Sequence, residues 1–216
     1  MTTRSTALDG FSTTDEAFVP IRAGIDPASA DLVFRAAHTA YGFTDQPVTE
    51  AELDRVHELM MFPPTAMNTQ PLRVVLLRGD AEKARLLPHL AEGNRPKSAS
   101  APVVAVLAAD TEFHEQLPRL LPHAPGAKDM FADDARREQA ARFNATIQAG
   151  YFILAVRAAG LDAGPMGGFD TEGVDRDLLG DGPLKSILVV NIGHASPDGT
   201  FPRSPRLERD EVFLTT

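Results

Sequence analysis

The sequence predicts an α+β domain built of mixed α/β layers, and three observations carry that reading. Residues 72–77, 103–108 and 187–192 are nearly continuous apolar, β-branched runs of strand length, interrupted by Arg73 in the first and Asn191 in the last, and such runs suit a sheet covered on both faces. Segments of helical periodicity surround them in the order helix, helix, strand, helix, strand, helices, strand, which fits layered packing. The 216 residues, 43% hydrophobic and 24% charged, suit one globular core, with or without an arm.

Each element has a local reason. Residues 1–25 are rich in Thr, Ser, Asp and Gly with scattered apolar positions such as Phe11 and Phe18, so a flexible arm is expected ahead of a domain spanning residues 26–216. The arm lacks the basic start and apolar stretch of a signal peptide, and a cytoplasmic location is expected. Asp26-Pro27 sets a capping residue before a first-turn proline and leads into Leu32, Val33, Phe34 and Ala37. Thr49-Glu50-Ala51-Glu52 is a capping box, behind which Leu53, Val56, Leu59 and Met60 recur at helical spacing until Phe62-Pro63-Pro64. Residues 134–159 form the longest helical candidate, roughly 40 Å at 1.5 Å per residue. Its second half is apolar nearly all round, which predicts a central core helix or a subunit interface. Its apolar run, residues 149–156, ends at Arg157, far short of the ~20 residues that span a bilayer. A last short helix starts at Asp170, reads Val174, Leu178 and Leu179, and stops at Gly180.

Composition narrows the chemistry. With no Cys, disulfides, thiolate metal sites and Cys nucleophiles are excluded together. A net charge of −9 opposes nonspecific binding to nucleic acid or anionic membranes. The chain has no nucleophile elbow, P-loop, H-E-x-x-H or dinucleotide fingerprint, and its six histidines form no close ligand pair. No metal site is expected.

Four loops remain. Pro63-Pro64-Thr65-Ala66-Met67-Asn68-Thr69-Gln70-Pro71 is either a rigid loop offering amides to a flat heterocycle or an ordinary proline-punctuated turn. Gly164-Pro165-Met166-Gly167-Gly168-Phe169-Asp170 either brings backbone N–H groups close to a planar ligand or is a capped tight turn. Pro202-Arg203-Ser204-Pro205-Arg206-Leu207 holds two arginines between prolines, suited to a phosphate or carboxylate or to a solvated turn. Asn94-Arg95-Pro96-Lys97 places a polar pair before the second strand.

Together and in this order, the four segments resemble the flavin-dependent nitroreductase family over roughly residues 28–212. Pro64-Thr65-Ala66-Met67-Asn68-Thr69-Gln70-Pro71 matches its Pro-Ser/Thr, two residues, Asn-x-Gln-Pro loop. The resemblance implies a central, mostly antiparallel sheet flanked by helices in an intertwined homodimer, with FMN at the interface and the long helix as dimer core. It implies that Pro64, Thr65, Ala66, Asn68 and Gln70 reach the FMN of the partner subunit. Pro165, Met166, Gly167 and Gly168 would line the flavin, with Gly167 and Gly168 aiming N–H groups at N5 and O4. Asn94 and Lys97 would meet the pyrimidine edge, and Arg203 and Arg206 the phosphate. No catalytic side chain is implied; flavin N5, tuned by Gly167, Gly168 and Lys97, is the reactive atom.

One segment departs from the family. Where nitroreductases carry Arg-x-Ser-x-Arg or a close relative on the first helix, this chain has Ala37-His38-Thr39-Ala40-Tyr41. His38, Thr39 and Tyr41 can hydrogen-bond a cofactor, but the usual positive charge is missing, and Arg35 is the candidate to replace it. Within the family the chain is most similar to the malonic semialdehyde reductase, or 3-hydroxypropanoate dehydrogenase, group of pyrimidine degradation. The likeness rests on Asn144, Gln148, Tyr151, Gly160-Leu161-Asp162, Gly164-Pro165-Met166, Gly168-Phe169-Asp170, Asn191-Ile192-Gly193 and Pro205-Arg206-Leu207. It implies ping-pong reduction of a small aldehyde-acid by NADH or NADPH. Two alternatives stay open: a broad nitroreductase or quinone reductase, and a flavin-binding protein with little turnover. Arg73 and Arg142 are candidates for a substrate carboxylate, each equally readable as a surface charge.

Overall fold

Local signals set most element boundaries in the computed structural model, which describes residues 24–215. Residues 1–23, where most of the expected arm falls, lie outside the described residues. Asp26 Oδ1 accepts from the N–H groups of Ala28 and Ser29 at 3.0 and 3.1 Å and starts α1 (Pro27–Ala30), which runs on through a π turn, Asp31–Arg35. The capping box opens α2 (Glu50–Met60): Thr49 Oγ1 accepts from Glu52 N at 3.2 Å, and Glu52 Oε2 accepts from Thr49 N at 2.7 Å. Then follow β1 (Leu72–Leu77), α3 (Asp80–Leu86), α4 (Arg95–Ser100), β2 (Val103–Asp110), α5 (Leu117–Leu120) and α6 (Asp134–Ala158). The chain closes with β3 (Asp162–Met166), α7 (Thr171–Val174), β4 (Leu184–Gly193) and α8 (Arg209–Val212).

The sheet runs β1-β2-β4-β3 with every neighbouring pair antiparallel. Continuous apolar strands follow from its two buried faces. Val103, Ala105, Leu107, Val190 and Ile192 pack toward α6, while Val104, Val106, Val189 and Met166 pack on a second core with Leu86, Leu90 and Val174. α6 buries Ala141, Ala145, Ala149, Phe152, Ala155 and Val156 in the first core, yet leaves Phe143 and Tyr151 exposed at 66% and 41%. It is thus the core helix that the sequence predicts, with an uncovered apolar face besides.

β3 is the element that the sequence conceals, because Gly164 and Pro165 read as turn residues. It is an edge strand. The Ala163 carbonyl points away from β4 and accepts from Ala40 N at 3.0 Å. By the two-residue period of a strand, Pro165 faces the same way, where its missing N–H costs no ladder bond. Gly164 is required for the same contact: a Cβ there would lie 2.5 Å from the Ala40 carbonyl oxygen, a backbone atom that cannot swing aside. Gly164→Ala is therefore expected to destabilise the fold by about 1–3 kcal/mol, read as a lower urea midpoint with an unchanged slope.

Candidate functional site

Four of the sequence-predicted segments meet along the β3 edge. Ala40 is tied to Ala163, Tyr41 N donates to Gly199 O at 2.7 Å, and Thr44 N donates to His194 O at 2.9 Å, so residues 38–44 lie between β3 and the C-terminal segment. The Tyr41 ring stands edge-on to Phe201, with centroids 4.8 Å apart, and Lys97 Nζ lies 4.5 Å above its centroid. Burial pushes the Lys97 ammonium below the ordinary lysine range. Tyr41 thus joins Lys97 on one side to the arginine-bearing tail on the other.

The glycine loop is braced from behind. Gly168 O accepts from Ala91 N at 2.9 Å and from Asn94 Nδ2 at 3.1 Å, and Gly167 O accepts from Phe169 N at 3.1 Å. Because the peptide is trans, the Gly168 N–H points opposite to the tethered Gly167 carbonyl. Neither the Gly167 nor the Gly168 N–H has an acceptor among the described residues, and a Cβ at Gly167 would meet nothing within 4 Å. This is open backbone bearing free donors. Asn94, expected as a ligand contact, has its amide nitrogen committed to Gly168. Met166 is buried, with Ser98 Oγ 3.7 Å from its sulfur, and its main chain pairs with Val189, so it supports the loop from beneath.

At the far end, a cleft of about 210 Å³ is lined by Ala37, His38, Thr39, Tyr41, Arg157, Phe201, Pro202, Arg203, Ser204 and Arg206. Among the described residues, no carboxylate lines it. Arg203 Nη2 donates to the carbonyls of Arg35 and Ala37 at 2.8 and 2.6 Å, closing the end of the first helix. Arg206 Nη1 donates to Ser204 O and Pro205 O, and His38 Nδ1 lies 3.0 Å from Phe201 O. Arg35, the expected replacement for the missing charge, turns back on its own helix to Asp31 and Pro27 O and does not line the cleft. Arg157, near the end of α6, does. The sequence offered one signal for it: a lone arginine that terminates an otherwise apolar run.

The loop at residues 63–71 lies elsewhere. It precedes β1, the opposite edge, three strand spacings or roughly 14 Å from β3. Pro64, Thr65, Ala66, Asn68 and Gln70 therefore do not join the β3 cluster within one chain. Met67, Asn68 and Gln70 all hold positive φ, at 55°, 53° and 41°, a conformation that costs about 1 kcal/mol or more for each non-glycine residue. Helix α6 holds the loop: Asn144 Oδ1 accepts from Ala66 N at 2.8 Å, and Gln148 Oε1 accepts from Leu72 N at 2.9 Å. Gln70 Nε2 donates to Asn68 Oδ1 at 2.7 Å, and Asn68 Nδ2 donates to Leu120 O at 2.9 Å. The proposed carboxylate partners are occupied, Arg73 by Asp110 at 2.6 Å and Arg142 by Glu138 at 2.8 Å. Among the described residues, no helix is long and apolar enough to cross a membrane, and no three acidic or histidine side chains gather to hold a metal ion.

A four-stranded antiparallel sheet covered on both faces, with a glycine loop and an arginine-lined cleft on one edge, defines an α+β fold with helices flanking the sheet. The nitroreductase family model matches residues 35–194. A Streptomyces griseus protein provisionally named as an NADH dehydrogenase/NAD(P)H nitroreductase is 55% identical over 192 residues, covering 88% of this chain and 97% of its own. A Streptomyces coelicolor protein of the same provisional name is 54% identical over 192 residues, covering 88% and 97%. Among solved structures, a provisionally named nitroreductase from Exiguobacterium sibiricum in complex with FMN superposes with a TM-score of 0.77 at 17% identity, covering 90% of this chain and 99% of that one. The chain belongs to the nitroreductase family of oxidoreductases.

The bracing of the loop is testable. Asn144→Ala leaves the Ala66 N–H without its acceptor and is expected to cost about 1–2 kcal/mol in thermal or chemical unfolding. It should also speed amide exchange at Ala66 while exchange in β2 is unchanged.

Proposed function

We propose that this protein is an FMN-dependent NAD(P)H oxidoreductase acting on a small electrophilic acceptor. The observation that carries the reading is the continuous band on the β3 edge: free N–H donors at Gly167 and Gly168, a partly desolvated Lys97 beside Tyr41, and a carboxylate-free arginine cleft. Each part suits a region of FMN. The unhindered glycine backbone admits a flat ring and offers donors where negative charge develops. Lys97 balances charge on the ring's polar edge, and the arginines hold the terminal phosphate. FMN, when bound, supplies hydride transfer from NADH or NADPH to the acceptor, so the side chains have only to bind, orient and exclude water.

The active unit is a homodimer in this reading. The loop at residues 63–71 is held rigidly by Asn144 and Gln148 yet sits an entire sheet width from the β3 cluster. A second copy brings such a loop to the opposite site. Phe143 and Tyr151 on α6, and Leu207, Phe213 and Leu214 on the tail, are the apolar surface that the second copy covers. The wild-type chain is expected to sediment as a dimer, and Phe143→Arg as a monomer that has lost its flavin.

The acceptor is malonic semialdehyde, reduced to 3-hydroxypropanoate with consumption of one NAD(P)H and one proton. Its support is the subgroup likeness, in which Asn144 and Gln148 have the concrete task of shaping the loop that faces the partner's site. Purified protein is expected to absorb near ~450 nm and, at equal concentrations, to turn over malonic semialdehyde faster than nitroaromatics or quinones. Preference for the latter makes it a broad nitroreductase. Flavin that stays oxidised under anaerobic NADPH makes it a binding protein, and colourless protein that takes up no added FMN overturns the reading.

A further inference from the structure

We propose that Arg157 supplies the charge for the FMN phosphate that the first helix of this chain lacks, so that the anion is gripped from the end of α6 as well as from the C-terminal tail. The inference rests on the FMN reading above and concerns a residue outside the four loops that motivated it.

Three features of the cleft lead to Arg157. First, the two positions that the family's Arg-x-Ser-x-Arg pattern would make basic hold Ala37 and Tyr41, and Arg35 is turned away toward Asp31 and Pro27 O. Second, Arg157 lines the cleft with its hydrogen-bonding capacity largely unused among the described residues: Nη1 makes one long contact to Val33 O at 3.4 Å, and Nε is buried and finds no partner among them. A guanidinium carries five N–H donors, and a buried one left unsatisfied is costly. Third, its neighbour is another cation. Burial first, and then the charge of Arg203, push the Arg157 pKa down, with Asp162 opposing. Asp162 does not line the cleft, and its Oδ2 accepts from Ala195 N at 2.8 Å.

Two guanidinium groups facing one cleft without a carboxylate are unfavourable together and become favourable once a dianion lies between them. Arg203 cannot serve alone, because its Nη2 is committed to the carbonyls of Arg35 and Ala37. Among the described residues, Arg206 donates to the neighbouring Ser204 and Pro205 carbonyls alone. A helix-borne arginine is the better-fixed donor, since its backbone is held in the core through Ala155 and Val156. A phosphate is therefore clamped between a rigid element and a tail.

The test compares FMN with riboflavin, which lacks the phosphate, on flavin-stripped dimer by fluorescence titration. Wild type is expected to bind FMN more tightly than riboflavin. Arg157→Met should lose roughly 30- to 100-fold in FMN affinity, as for a charged hydrogen bond removed, while riboflavin affinity is unchanged. Arg157→Lys should lose less, and it replaces Met if that variant fails to fold. Equal losses for both ligands make Arg157 a structural support of Val33 O and overturn the inference, as does an unchanged FMN affinity. A wild type that binds neither flavin overturns the functional reading itself, an outcome seen before any variant is made.

Discussion

The site depends on one backbone contact. Ala40 N reaches Ala163 O at 3.0 Å only because the next residue, Gly164, has no side chain to collide with the Ala40 carbonyl. Through that contact residues 38–44 lie against an otherwise unpaired strand edge. Tyr41 is thereby set between Lys97 and Phe201, and His38 and Thr39 at the floor of the arginine cleft. A covered edge is protected from pairing with other chains. The same segment thus completes the fold and lays out the binding surface.

Helix α6 is the second organiser, and each of its faces has separate work. Alanines and Phe152 fill the core against the sheet. Asn144 and Gln148, nearly buried, act as fixed acceptors for backbone N–H groups of the loop before β1. Three non-glycine residues hold left-handed backbone in that loop, and such a conformation persists only where its surroundings over-determine it. The amides from α6, together with the Asn68 contacts to Gln70 and Leu120, supply that restraint. Displacing the helix would disturb the loop at one end and Arg157 at the other.

What the sequence made legible were features with short-range causes. The capping box at Thr49, the stop at Gly180 with φ of 71°, and the apolar strands β1, β2 and β4 all lie close to where residue chemistry puts them. β3 was illegible because its defining facts are long-range: Gly164 answers to Ala40, and Pro165 is tolerated only because its position faces away from β4. The left-handed turns at Met67, Asn68 and Gln70 were hidden for a related reason, since no glycine marks them. Among candidate site residues, the segments at 38–41, 94–97, 165–168 and 203–206 do converge, whereas Met166 and the Asn94 amide turn out to be inside supports. Arg35, Arg73 and Arg142 looked available in sequence and are paired in space. Pairing of charges is a tertiary fact.

The charge distribution follows the same logic. A chain of net charge −9 repels anions at long range, and at physiological ionic strength that repulsion is screened within about 8 Å. Inside the cleft only nearby charges count, and those are Arg157, Arg203 and Arg206, with no acid among the described lining residues. Keeping such a cluster uncompensated costs folding energy in the empty protein, because the partly buried Arg157 faces the charge of Arg203. Elsewhere on the described surface, several guanidinium groups are offset by a carboxylate, Arg73 by Asp110, Arg78 by Glu50, Arg137 by Asp134 and Arg142 by Glu138, while others such as Arg85, Arg95 and Arg119 stand singly on carbonyl or amide oxygens. What separates the cleft is the gathering of three guanidinium groups, Arg157, Arg203 and Arg206, on one lining. Three guanidinium groups together, with no acid among the described lining residues, suit a negative charge that this lining does not itself provide.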